Sequence, residues 1–150
     1  MQTQISHLQT FEYPRYLESG IESIVYKIAP DKTAKVFHSD EKLLRESEMA
    51  NQLYEDGFPV PIPYGIHMIR NTSGNVVEAF VMEFIRGRNC SELPINERKS
   101  ALRRIGKILT KAKNMGYDPN DYGTFNAMVT DEGVVKLIDF SRWSYTGGSS

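Results

Sequence analysis

The order in which hydrophobic periods follow one another along this chain constrains its fold more than any other feature. Up to about residue 85 the pattern is that of strands, interrupted once by a helix. Residues 23–28 (SIVYKI) and 33–38 (TAKVFH) flank the turn-forming run Ala-Pro-Asp-Lys and read as a hairpin. Ser39 or Asp40 can cap a helix to about Glu55, which Asp56-Gly57 would stop. Pro59, Pro61 and Pro63 exclude helix after it. Residues 64–70 and 76–85 form a second hairpin pattern around a turn at 71–75. Past Gly87 the period changes to 3.6. Asn96 can cap a long helix to Met115, with Gly116 as its stop and Leu102, Ile105, Leu109 and Ala112 as its apolar stripe. A loop, a short strand (127–129), the turn Asp131-Glu132-Gly133 and a strand at 134–138 complete the chain before a loose tail. Strands with one helix, then one helix with a short hairpin, is α+β and not alternating βαβ. The division between the two parts falls near residues 85–88.

Composition narrows the class. The chain has 150 residues, and 40% hydrophobic content is enough for one domain of two small lobes. The single cysteine, Cys90, excludes a disulfide framework and a cysteine-based zinc site. No apolar run reaches the roughly 18 residues of a membrane span. The first dozen residues lack the basic start and apolar stretch of a secretory signal. These features point to the cytoplasm, or to secretion by a route without such a signal. A net charge of -1 argues against a surface given over to nucleic acid.

Three polar residues and one loop stand out. Lys35 sits mid-strand, sharing a face with Thr33 and Phe37 by alternation; alone, such a lysine more often reaches to water. Glu46 falls inside the apolar stripe of its helix, with Leu43, Ala50, Leu53 and Tyr54, whereas Glu41, Glu48 and Glu55 fall opposite. A carboxylate on an apolar face needs a partner, and the nearest in the preceding strand is Lys35. The loop at 116–126 is dense in Asp and Asn, as turns are. Asp139 ends the last strand and is followed by Phe140.

Asp121, Asn126 and Asp139-Phe140, in that spacing, resemble the catalytic loop and metal motif of the protein-kinase-like superfamily. Ala34-Lys35-Val36 resembles the strand lysine, Arg45-Glu46 the helix glutamate, and residues 81–85 (VMEFI) with Gly87 the hinge between lobes. Residues 57–61 (GFPVP), followed by Tyr64-Gly65, are closer to RIO-type and small-molecule phosphotransferase relatives than to ordinary Ser/Thr kinases. The resemblance implies a kinase-like fold with an antiparallel-sheet N-lobe (residues 1–86), a truncated, mainly helical C-lobe (87–145) and a flexible tail (146–150). It also implies ATP and Mg²⁺ as cofactors. Lys35, oriented by Glu46, would hold the α- and β-phosphates. Asn126 and Asp139 would be the metal ligands, and Asp121 would take the proton of the acceptor hydroxyl. Gly20, Val25 and Ala34 would border the nucleotide, Met82 would back the adenine pocket, and the backbones of Glu83 and Ile85 would bond the adenine edge.

The sequence departs from the family pattern in three places. Residues 17–25 (LESGIESIV) keep one of the usual three phosphate-loop glycines. Gly123 replaces the lysine that Ser/Thr kinases use near the γ-phosphate, and Ser141 replaces the glycine after Phe140. The chain ends soon after Trp143, as in minimal kinases, including some secreted effectors. The functions these features allow are a phosphotransferase acting on a protein, a pseudokinase acting through its surface, and a small-molecule kinase. Residues 98–113 hold seven basic side chains and no acidic one, with Arg103, Lys107 and Lys111 on one face behind Lys99. That helix is either a solvated face or a docking surface for an acidic protein substrate or activating partner.

Overall fold

A computed structural model describes residues 15–19, 23–71, 73–120, 126–140 and 142–147. Gly20, Asp121 and Gly123 lie outside the described residues, as do the lead-in and the last three residues. The chain forms two compact units. One comprises residues up to Asn51 together with Ile62–Phe84, the other Gln52–Pro61 together with the residues from Ile85 onward.

The first unit is built on a five-stranded sheet. Its strands are β1 (Arg15–Ser19), β2 (Ser23–Ala29), β3 (Lys32–Phe37), β4 (Pro63–Arg70) and β5 (Val76–Glu83), in the order β1-β2-β3-β5-β4 and antiparallel throughout. The β4–β5 turn forms as its composition predicts. Asn71 Oδ1 accepts from the backbone N–H of Ser73 and of Asn75, and Gly74 supplies the positive φ of 85°. Period-2 alternation gives the sheet two different faces. Tyr26, Ile28, Ala34, Ile69, Ala79 and Val81 form a buried apolar cluster on one of them.

Helix α1 (Asp40–Glu55) follows β3. Ser39 caps it, its Oγ accepting from the Lys42 N–H at 3.2 Å, and Asp40 and Glu41 place negative charge in the first turn. Leu43, Ala50 and Leu53 are buried as the stripe requires. Tyr54 is not: it lies at the edge of the stripe and is 44% exposed. Gly57, with φ 86°, ends the helix.

In the second unit, β6 (Gly87–Asn89) leads through a 3₁₀ turn (Cys90–Glu92) into helix α2 (Ile95–Asn114). The expected Asn96 cap is corrected. Pro94 occupies the capping position without a side-chain hydrogen bond, and the capping asparagine is Asn89, whose Oδ1 accepts from Ser91 N–H at the 3₁₀ turn. Proline is favoured at a helix start because it has no N–H to leave unpaired. Ala101, Ile105 and Ala112 are buried, whereas Leu102 is 47% exposed. Gly116 (φ 97°) closes the helix. Strands β8 (Ala127–Thr130) and β9 (Val135–Leu137) join β6 in an antiparallel sheet of order β6-β8-β9. A Cβ on Gly87 would lie 2.0 Å from the Val129 carbonyl oxygen, so only glycine fits there. Strands β7 (Tyr117–Asp118) and β10 (Ser144–Tyr145) pair separately. Thr146, expected in a loose tail, is held by two hydrogen bonds to the Gly116 carbonyl, at 2.8 and 3.1 Å.

Candidate active site

Lys35 lies on β3, an interior strand of the sheet, opposite Val25 on β2 and Phe80 on β5. It is 6% exposed, so it is no edge lysine reaching to water. Its Nζ lies 3.0 Å from Oε2 of Glu46, which is 1% exposed. Burying two charges costs several kcal/mol per ion, and close pairing is what offsets it. A fold that keeps such a pair in its interior has not gained it for stability alone. The carboxylate fixes an ammonium in a low-dielectric place where an anion is attracted far more than in water.

The pleat decides which neighbours share the Lys35 face. Directly opposed residues point the same way. Val25 and Phe80 therefore flank Lys35, and the Thr33–Met82 pair lies two residues along. Val25, Thr33, Phe80 and Met82 are all buried. Ala34 is different: it belongs to the apolar cluster of the other face. Ala34, expected to border the nucleotide, lies on the face opposite Lys35, since adjacent residues of a strand point apart. Thr33 and Phe80 share the Lys35 face, as the period-2 rule predicts once the strand is assigned. Glu83 ends β5. Its N–H donates to the Ile62 carbonyl at 2.9 Å, and its carboxylate accepts from Ile62 N–H at 3.1 Å. These two bonds fasten the proline-rich segment to the strand end.

The second unit positions Asn126 and Asp139. Ala127 opposes Leu137 in the β8–β9 ladder, and Ile138 N–H donates to the Asn126 carbonyl at 2.8 Å. Asn126 and Asp139 thus stand at the same open end of one hairpin. Asp139 has φ 65°, a left-handed conformation that non-glycine residues rarely adopt. Such strain persists where surrounding structure fixes it and clusters at functional sites. The fixing contact is the next residue. Phe140 is buried and packs edge-on to Trp143, with ring centroids 5.9 Å apart. Trp143 in turn meets Tyr117, which packs on Phe58 and donates its hydroxyl proton to Asp56. Burial first, and then the hydrogen bond to the Asp56 carboxylate, hold the Tyr117 hydroxyl well above its ordinary titration range.

The donor set of this hairpin end is a carboxylate and an amide oxygen, both hard. That suits Mg²⁺, which takes one or two protein ligands and completes its shell with phosphate and water. Among the described residues no group of three or more His, Cys, Asp or Glu side chains could hold a metal by itself. No helix of the described residues is long and apolar enough to cross a membrane.

The sequence profile of APH, the phosphotransferase enzyme family, matches residues 11–117, a span that includes Lys35, Glu46 and the hinge segment and ends before Asp121. The serine/threonine-protein kinase rio2 of Dictyostelium discoideum is 29% identical over 102 residues, which are 66% of this chain and 17% of that protein. The KEOPS complex subunit Bud32 of Pyrococcus abyssi is 31% identical over 104 residues, 67% of this chain and 44% of that protein. The chain thus spans less than half the length of each. Among solved structures, the Rio2 kinase–ADP/Mg²⁺–phosphoaspartate complex from Chaetomium thermophilum matches with a TM-score of 0.60 and 19% identity, over 85% of this chain and 47% of that one. The fold is therefore the kinase-like one, with an antiparallel-sheet unit of RIO type.

Proposed function

The chain belongs to the phosphotransferase enzyme family, and we propose that it is an atypical kinase, moving the γ-phosphate of ATP to a hydroxyl on a protein. The observation that carries this reading is the buried Lys35–Glu46 pair at 3.0 Å. Phosphoryl transfer is mainly positioning plus neutralisation of phosphate charge, and a fixed, desolvated ammonium does both. Lys35 would bind the α- and β-phosphate oxygens while Glu46 keeps its Nζ in place. Asn126 and Asp139 would hold Mg²⁺, which when bound neutralises charge on the transferring phosphate. Asp121 would take the proton of the acceptor hydroxyl. Met82 would back the adenine pocket, with Val25 and Thr33 on the same face and Gly20, three residues before β2 in sequence, beside the phosphates. The N–H of Glu83 is already bonded to Ile62, so adenine would meet the Glu83 carbonyl and the Ile85 backbone.

Its relative Bud32 is by name a subunit of a complex, which supports an activating partner for this chain as well. The test is transfer from γ-labelled ATP, with Mg²⁺, to a panel of protein acceptors and a panel of small alcohols. Protein labelling that is abolished by Asp121→Ala is the expected result. Labelling of the small molecules alone would make the chain a small-molecule kinase. Nucleotide binding without any labelling, with partners supplied, would make it a pseudokinase.

A further inference from the structure

Helix α2 carries more charge than the proposed chemistry uses. Lys99, Arg103, Lys107 and Lys111 recur at four-residue steps and are all exposed. Each step rises about 6 Å along the axis, so the four cations form a line about 18 Å long that winds slowly around the helix. The line lies on the side away from Ala101, Ile105 and Ala112, which are buried. Two other cations of the helix serve the fold. Arg98 donates to the Leu93 carbonyl, and Arg104 donates to the Gly133 carbonyl at 2.7 Å. The line itself makes no ion pair among the described residues. Lys111 stands over the Phe58 ring at 5.4 Å, which leaves its charge uncompensated.

A second feature borders this line. Ile95, Leu102 and Leu109 are seven residues apart and stack along one side of α2. Ile95 is 62% exposed and Leu102 47%. Lys99 lies one turn from both, so the apolar seam and the cationic line meet there. An exposed apolar seam flanked by charge is how a helix receives a second helix: knobs from the seam, ion pairs from the flank.

We propose that this face of α2 docks an acidic, amphipathic segment of a partner protein. Three observations select a protein over a nucleic acid. A phosphate backbone offers nothing for Ile95 and Leu102 to bury against, whereas a partner helix does. No aromatic side chain lies between residues 98 and 113, so the stacking that single-stranded binding relies on is missing. The whole chain is slightly negative although these residues contribute seven positive charges, so the rest of the molecule is acidic and would repel an extended polyanion. A short acidic segment confined to the α2 face avoids that repulsion. Carboxylates at four-residue steps on a partner helix would rise at the same interval of about 6 Å as the cations.

The experiment is fluorescence anisotropy with three labelled probes: a helical peptide of about 18 residues bearing Glu at four-residue steps beside a leucine seam, the same composition scrambled, and an RNA duplex of equal charge. The patterned peptide should bind at least tenfold more tightly than either of the others, and its affinity should fall as salt rises. Arg103→Glu with Lys107→Glu should weaken it at least tenfold, and Leu102→Ser several-fold. Arg45→Glu with Arg70→Glu, the same change of net charge on α1 and β4, should leave it unchanged. Arg103→Gln with Lys107→Gln keeps the test valid if the reversal fails to fold. Equal or tighter binding of the RNA or of the scrambled peptide overturns the proposal, as does absence of peptide binding or indifference to the α2 substitutions. A stable dimer of the chain that the α2 reversal dissolves overturns it too, because the exposed Glu41, Glu48 and Glu55 of a second copy would then be the occupant.

Discussion

At the scale of single residues, Lys35 and Glu46 are coupled, and their variants should show it. Lys35→Met removes the ammonium that offsets a buried carboxylate. It should lower stability by about 3–5 kcal/mol as well as abolish transfer. Combining it with Glu46→Leu should restore most of the stability and none of the transfer, measured by urea denaturation beside the labelled-ATP assay. Equal instability of the single and double variants would contradict the pairing. Gly87→Ala is a different kind of test, because it touches no polar side chain. Its Cβ would strike the Val129 carbonyl oxygen, so β6 must move away from β8. A loss of about 1–3 kcal/mol is expected from such overpacking. The Lys35–Glu46 pair is legible in the sequence because a carboxylate inside an apolar helical stripe demands a partner. The place of Ala34 is not legible from the motif, because adjacency in a motif is not adjacency in space. On a strand the next residue belongs to the opposite face.

At the scale of elements, the aromatic chain from Phe58 through Tyr117 and Trp143 to Phe140 fixes the turn that carries Asp139. Its pH dependence follows from Tyr117. The hydroxyl titrates near 10.0 in an unfolded chain and higher in the folded one, because burial and the Asp56 hydrogen bond favour the protonated form. The unfolded state therefore loses this proton first as pH rises. The stability contributed is fully present below about pH 10 and declines above it. Tyr117→Phe should remove that alkaline decline while costing stability at neutral pH; chemical denaturation at about pH 8 and about pH 11 measures both. Cys90, fully buried at the β6–α2 junction, has its thiol pushed up by the same desolvation, with Arg104 a smaller opposing influence. It should resist alkylation until the second unit opens. Strand and helix positions are legible to within a few residues, since period 2 and period 3.6 are set by backbone geometry. The α2 cap is not. Asn96 has the right chemistry for a cap, but Pro94 starts the helix two residues earlier. Leu102 and Tyr54 fit buried stripes by period and yet stand exposed, because periodicity gives a helix's apolar side and not how much of it a neighbour covers.

At the scale of the whole molecule, the two compact units each carry some of the residues that the proposed function uses. The sheet unit presents a buried ammonium held by a carboxylate, and the hairpin of the second presents Asn126 and Asp139. The spacing from Asp121 through Asn126 to Asp139 resembles the kinase-like pattern, and the phosphotransferase family match covers the preceding residues 11–117. The acceptor is not legible, because residues 121–126 carry neither the lysine of Ser/Thr kinases nor the arginine of tyrosine kinases. The central claim is that Asp139 holds the metal for phosphoryl transfer. Its most direct test is the Mg²⁺-dependent rate of γ-phosphate transfer by Asp139→Ala relative to the unsubstituted chain, at saturating ATP and with folding verified. The account predicts a fall on the order of a thousandfold, equivalent to about 4 kcal/mol of lost transition-state stabilisation. A rate within about twofold of the unsubstituted chain would contradict it.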